Sequence, residues 1–215
     1  MEEDEYEHER KRMVAEQIAR RGLRNPRLLA AMEAVPRHRF VPLDHLAWAY
    51  ADGPLPIGYG QTISQPYIVA FMTDALHLTG KECVLEVGAG SGYQAAILGQ
   101  MAAEVHTIEL IPELALQANN VLEELGYTNV HVHIGDGSLG WLEAAPYSGI
   151  LVAAAAPGLP EPLFDQLADG GRIILPVGGR GFQQLEVWER WGKQFKREES
   201  IDVAFVPLRG EYGWK

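Results

Sequence analysis

The chain carries one cysteine in 215 residues, Cys83, so no intramolecular disulfide framework holds it together. Cys/His-rich zinc spacing is missing too. No H-E-x-x-H occurs among the seven histidines, His131 and His133 merely alternate on a predicted strand, and no metal is expected. No apolar run is long enough to span a membrane, and the N-terminus is acidic, unlike a signal peptide. Bases are scarce: 18 Lys and Arg against 29 Asp and Glu leave a net charge of −11, which argues against binding a phosphate backbone. No Gly-Lys-Ser/Thr closes a P-loop, and no repeat or low-complexity tract is present. These absences lead to an expectation of a soluble, cytoplasmic protein without nucleic-acid or membrane partners; a monomer is expected, although nothing in the sequence derives the oligomeric state. At 47% hydrophobic residues, the chain has the means to bury one core as a single domain.

The most informative stretch is Val84-Leu-Glu-Val-Gly-Ala-Gly-Ser-Gly-Tyr-Gln94. A strand-forming run meets three alternating glycines, and a helix-like run from Gln94 to Met101 follows. Glycines at such a turn permit positive φ and close approach of a ligand. The N–H groups opening the next helix favour an anionic group. A dinucleotide fingerprint reads G-x-G-x-x-G, whereas the spacing here is G-x-G-x-G. Glu86 beside it would repel a pyrophosphate but suits a ligand carrying an amine. The bland alternative is a glycine turn that only packs a helix on a strand.

Around this stretch, strand and helix patterns alternate over residues 83–177. Residues 104–109 read as a strand ending in Glu109, which lies 17 residues after Gly92, near the ~20 at which such folds place an acid on ribose hydroxyls. Pro112 to Leu125 reads as a helix stopped by Gly126, and Val130 to Ile134 as a strand running into Gly135-Asp136-Gly137. Asp136 is placed to accept from a base amine, although an Asp-Gly turn would look the same. Ile150 to Ala154 is a wholly apolar run, as in a central parallel strand. A helix over Pro160 to Leu167, a stop at Gly170-Gly171 and a strand over Arg172 to Val177 come next. Gln183 to Trp191 and Ile201 to Leu208 are predicted to close the sheet as antiparallel strands. The fold class is therefore α/β: a doubly wound, mostly parallel sheet with helices on both faces.

Upstream, residues 1–12 hold six acids and three bases and read as a solvated, frayed start. Helices follow over Met13 to Gly22 and from Asn25-Pro26 to before Pro36. Residues 35–42 read as extended between two prolines, with His38 as a packing or surface residue. Leu55 to Pro66 is a glycine-containing loop whose Gln61, Thr62 and Ser64 supply hydrogen-bonding groups. It could fold over a ligand crevice, or its hydroxyls could simply cap the helix beginning near Pro66.

A glycine loop without pyrophosphate logic, a ribose acid and a base-contacting acid describe a nucleoside with a small charged tail. S-adenosyl-L-methionine fits, and the pattern resembles the class I methyltransferase fold. The amino-methylating motif expected after the fourth strand is replaced by Ala153-Ala-Ala-Ala-Pro157. Gly58-Tyr-Gly-Gln-Thr-Ile-Ser-Gln-Pro66 resembles the signature of the protein-L-isoaspartate O-methyltransferase family. The likeness runs from Met13 onward through Val35-Pro-Arg37, Phe40-Val-Pro42, Leu85 to Gln94, Gly135-Asp-Gly137, Ala154-Ala-Ala-Pro157, Gly170-Gly-Arg172, Pro176-Val-Gly178 and Phe205-Val-Pro-Leu208. It departs at Ser148-Gly149, where the family usually has an acid after the tyrosine, and in the tail from Arg209 to Lys215.

The resemblance implies methyl transfer to the α-carboxylate of L-isoaspartyl residues in damaged proteins and peptides, which begins repair through a succinimide. It implies Ser64 as the catalytic-loop residue, positioning the carboxylate rather than attacking. Cofactor contacts would come from Thr62, Ile63, Ser64, Glu86, Gly88, Gly90, Glu109, Leu110, Asp136 and Gly137. Substrate contacts would come from Gln61, Thr62, Ser64, Val206 and Leu208. Residues 13–215 would form one methyltransferase domain: helices and loop over 13–78, cofactor-binding core over 79–178, C-terminal strands over 179–215. Other readings are a methyltransferase with a different acceptor, a binding module that has lost transfer, and a nicotinamide dehydrogenase.

Overall fold

The computed structural model describes residues 3–179, 181–198 and 201–215. Helix α1 (Glu3–Met13) has acids in its first turn and bases in its last, which complements the helix dipole. From Glu3 the acidic start is thus helical rather than frayed, residues 1–2 lying outside the described residues. It continues through one π-helical turn (Val14–Ile18) and a 3₁₀ turn that ends at Gly22. Tyr6 anchors α1 by stacking on His38 at 4.0 Å between ring centroids. Asn25 caps α2 (Pro26–Ala34) by accepting from the Arg27 and Leu28 N–H groups. The segment between the two prolines is a 3₁₀ turn (Arg37–Phe40) instead of an extended piece. It buries Arg37 completely over the face of Tyr93, 4.8 Å from the ring centroid. Burial pushes the Arg37 guanidinium down to about 10.

The loop predicted over 55–66 is a hairpin, β1 (Leu55–Gly58) paired antiparallel with β2 (Gln61–Ile63). Helix α3 (Pro66–Ala75) follows at once. The main sheet then develops in chain order: β3 (Cys83–Val87), α4 (Tyr93–Met101), β4 (Glu104–Glu109), α5 (Pro112–Glu124), β5 (Val130–Ile134), β6 (Tyr147–Val152), the short α6 (Glu161–Asp165) and β7 (Leu167–Val177). The Gly170-Gly171 pair lies within β7 and does not end a helix there. Two antiparallel strands were expected after it; three are present, β8 (Gln184–Trp191), β9 (Gln194–Arg197) and the two-residue β10 (Ile201–Asp202). The rest of the 201–208 segment is irregular and touches the sheet through a bridge from Pro207 to Ala155.

The order along the sheet is β10-β8-β7-β6-β3-β4-β5, with β9 on β8. The five strands from β5 to β7 are parallel. Alternation along them feeds two apolar clusters. Val84, Val105, Leu151 and Ile174 join the N-terminal helices and α4, whereas Leu85, Ile108, Ile150 and Ile173 pack with Tyr147, Leu163 and Trp141. The chain runs outward from β3 to β5, then returns to lay β6 on the other side of β3. That reversal opens a crevice beyond the carboxyl end of β3.

Candidate active site

The crevice is lined by the glycine loop, by the starts of the segments after β4 and β5, by the hairpin and by residues 205–209. Glu109 organises its floor. Its Oε2 accepts from the Gly90 N–H at 2.9 Å and its Oε1 from the Ile111 N–H at 3.0 Å. One carboxylate therefore holds the glycine loop against the chain leaving β4, and each oxygen keeps lone-pair capacity for a ligand hydroxyl. Gly90 is at φ +53°, and a Cβ there would come within 3.3 Å of Ile57 Cδ1 on the hairpin. Further amides are used internally: the Gly88 and Ala89 N–H groups donate to the Ile108 carbonyl, and the Tyr93 N–H to Ser91 Oγ. The loop thus has fewer free donors for a phosphate than a dinucleotide site would need, in keeping with the G-x-G-x-G spacing.

Glu86 is fully buried at the crevice wall. Thr107 Oγ1 donates to its Oε2 at 2.6 Å, while its Oε1 has no hydrogen-bond partner among the described residues. Burial first, and the neighbouring Glu109 charge after it, push the carboxyl up to about 8 against the opposing Thr107 bond. A buried acid with one orphaned oxygen facing a cavity is matched by a ligand ammonium. At the lip, Leu110 is exposed and offers an apolar surface to a flat ring.

The structure brings Gln61, Thr62, Ile63, Ser64, Glu86, Gly88, Gly90, Glu109, Leu110, Gly137, Val206 and Leu208 together around this one cavity. Asp136 is placed differently. Its Oδ1 accepts from the Ser138 N–H at 2.9 Å and Oγ at 2.7 Å, and its Oδ2 accepts from the Glu211 N–H at 2.7 Å. It is absent from the crevice lining, which Gly137 reaches instead. A Cβ on Gly210 would lie 2.0 Å from Asp136 Oδ1, so the tail can clasp this carboxylate only because position 210 is glycine. The tail from Arg209, where the sequence was expected to depart from the family pattern, therefore has a structural task.

Sequence reasoning passed over Phe205, Ala153 and Met72, all in the lining. Phe205 stood within a segment expected to be strand, and nothing local marks Ala153 or Met72 as more than core. Ser64 does not cap α3, whose N-cap is Gln65 and has no side-chain cap bond. A second groove adjoins the crevice between Pro54, Ile68 and Asp202, and it shares Thr62, Ser64, Ala153, Phe205 and Val206 with the crevice.

The switch-point crevice, the loop clamped by an acid and the orphaned Glu86 oxygen make this fold a class I methyltransferase. The chemistry of this lining, a buried acid with an unpartnered oxygen, a second acid on the glycine loop and an exposed apolar lip, is compatible with S-adenosyl-L-methionine. The sequence profile of the protein-L-isoaspartate(D-aspartate) O-methyltransferase family matches residues 8–213. A protein-L-isoaspartate O-methyltransferase of Dictyoglomus thermophilum is 53% identical over 211 residues, covering 98% of this chain and 96% of the relative. One from Picosynechococcus sp. is 57% identical over 206 residues, covering 95% and 92%. A solved protein-L-isoaspartate O-methyltransferase superposes with a TM-score of 0.88 at 26% identity, covering 95% of this chain and 67% of that one. A Plasmodium falciparum structure in complex with S-adenosyl-L-homocysteine shares the fold, with a TM-score of 0.78 at 24% identity and 93% and 98% coverage. The chain belongs to the protein-L-isoaspartate O-methyltransferase family.

Proposed function

We propose that the chain transfers a methyl group from S-adenosyl-L-methionine to the α-carboxylate of L-isoaspartyl residues in damaged proteins and peptides, initiating repair through a succinimide. The observation that carries this reading is the position of Thr62 and Ser64, which line both the cofactor crevice and the adjoining groove. A methyl donor on one side and an extended peptide on the other would meet at these two hydroxyls.

When bound, the cofactor supplies a methyl on a positively charged sulfur and its own neutral leaving group. A carboxylate is already ionised near neutral pH, so no general base is needed. The chain's task is alignment and exclusion of water, which are worth several kcal/mol when reacting atoms are held in line. Ser64 and Thr62 would donate hydrogen bonds to the acceptor carboxylate and fix which oxygen faces the methyl. Phe205 and Val206 would screen the junction from solvent, and Gln61, Val206 and Leu208 would contact the peptide. The reading includes a monomer acting in the cytoplasm without nucleic-acid or membrane partners. Among the described residues no helix is long and apolar enough to cross a membrane.

The test is transfer from labelled cofactor to two matched peptides, one with L-isoaspartate and one with L-aspartate. Base-labile label on the first alone is expected; label on neither, with cofactor still bound, would overturn the acceptor. Ser64→Ala is expected to lower kcat by about tenfold or more, as for loss of a charge-assisted hydrogen bond, and to leave cofactor affinity within about twofold. Equal losses in both would move Ser64 from substrate positioning to cofactor binding.

A further inference from the structure

A second cluster of chemically active side chains lies at the opposite, N-terminal ends of the parallel strands. Cys83 opens β3 and Glu104 opens β4, and the register pairs Cys83 with Glu104 and His106 with His131. Alternation puts Glu104 and His106 on one face of β4. Sγ of Cys83, a carboxylate oxygen of Glu104 and a ring nitrogen of His106 all lie within 4.8 Å of one another. The same Glu104 oxygen is 3.4 Å from His106 Nε2 and 3.3 Å from His131 Nε2.

His106 is only 8% exposed, and its Nε2 has no hydrogen-bond partner among the described residues. Its Nδ1 is 2.9 Å from His133 Nε2, and His133 in turn stacks on Trp141 at 3.9 Å. If Nδ1–H donates to His133, the buried Nε2 presents a bare lone pair to a carboxylate oxygen, two acceptors facing each other. A cation between them resolves that conflict. The opposite tautomer would aim an N–H at Glu104 across 3.4 Å, longer than an ordinary N–H···O bond.

We propose that Cys83, Glu104, His106 and His131 form a binding site for a divalent cation of the Zn²⁺ class, separate from the methyl-transfer crevice. One thiolate, two imidazoles and a carboxylate are a donor set that this class of ion accepts. The His106–His133 contact is the outer-shell bond that orients a ligating imidazole. Tetrahedral ligands at ~2.0–2.3 Å from zinc stand roughly 3.3–3.8 Å apart; the Cys83, Glu104 and His106 donors, within 4.8 Å of one another, close by up to about an ångström to reach this, and His131 adjoins the group through its 3.3 Å contact with Glu104. Glu104 and His131 are half-exposed, at 50% and 43%, and give the ion a path from solvent to the buried histidine. On binding, the metal–sulfur bond forms and the Cys83 thiol proton leaves to solvent. With His131 turned in as the fourth ligand the shell has no open position, so the ion ties the starts of β3, β4 and β5 together and takes no part in transfer.

The experiment uses the full chain titrated with Zn²⁺ by calorimetry, and with Co²⁺ as a spectroscopic probe. One equivalent of Zn²⁺ is expected, with tetrahedral Co²⁺ bands, a thiolate-to-cobalt charge-transfer band and a raised Tm. Cys83→Ser should abolish the charge-transfer band, and the surface substitution His131→Asn should weaken Zn²⁺ at least tenfold. Both variants should transfer methyl groups at the wild-type rate without added metal. Absence of saturable binding in the wild type, or equal affinity in both variants and wild type, would overturn the proposal.

Discussion

Glu109→Ala is expected to weaken binding of S-adenosyl-L-homocysteine by ~100-fold or more, the largest single effect at this site. The sequence pattern by itself would assign this acid one charge-assisted bond to ribose. The structure adds two duties, since its oxygens accept from the Gly90 and Ile111 N–H groups. Alanine would remove the proposed ribose acceptor and leave two backbone donors without their partner, each at a cost of roughly 1–3 kcal/mol if water does not replace it. The glycine loop then loses its tie to the chain after β4, so the cradle loosens as well as the ligand contact. Glu109→Gln retains one acceptor oxygen and is expected to fall between wild type and alanine. Calorimetry on the three proteins checks the series; an alanine variant binding within fivefold of wild type would remove Glu109 from the cofactor site.

Glu86→Gln is expected to make the ligand-free protein more stable at neutral and higher pH while weakening cofactor binding by ~10–100-fold. The folded-state carboxyl sits at about 8, raised from an ordinary 4.5 chiefly by burial. A raised folded value means that the native state holds a proton the unfolded chain has released. Stability is therefore highest below the unfolded value, falls as pH rises between about 4.5 and about 8, and is flat above that window. At pH 7 the cost is on the order of 3 kcal/mol, from 1.36 kcal/mol per pH unit. Glutamine keeps an acceptor for Thr107 Oγ1 and has no charge to bury, so the cost disappears. It also turns an N–H₂ group toward the ligand ammonium, which weakens binding. Wild-type binding near pH 7 should likewise release a proton from Glu86, seen as a buffer-dependent enthalpy. Parallel Tm-against-pH curves for the two ligand-free proteins would show that Glu86 does not carry this penalty.

These two acids mark how far local pattern reached. Strand β3, the glycine turn and α4 were legible because each signal is local: apolar residues at period two, glycines where φ must be positive, then a helical run. Strand β4 ending at Glu109, helix α5 and strand β5 followed for the same reason, and with them the doubly wound order and the identity of the crevice loop. The Gln61-to-Ser64 block pointed to the acceptor only through its resemblance to the protein-L-isoaspartate O-methyltransferase signature, since its residue chemistry alone also suits a helix-capping loop.

Other features depended on contacts between residues far apart in the chain. The 55–63 hairpin folds on itself beside Gly90, and α1 is held by Tyr6 on His38. Asp136 was placed at the correct strand end, where its side chain accepts from the Ser138 N–H and hydroxyl and from the Glu211 N–H at the far end of the chain. No local signal reports the contact from the tail, because it is settled by which donor the folded tail delivers. The same holds at the other edge of the sheet. Positions 83, 104, 106 and 131 have no metal-motif spacing, and only the parallel register of three strands sets one thiol, one carboxylate and two imidazoles side by side. The sequence by itself determined the elements, the fold class and the crevice loop, since periodicity and turn chemistry are properties of neighbours along the chain. Tertiary structure decided which polar atoms are satisfied and which are left facing a cavity, since that depends on every segment that packs there.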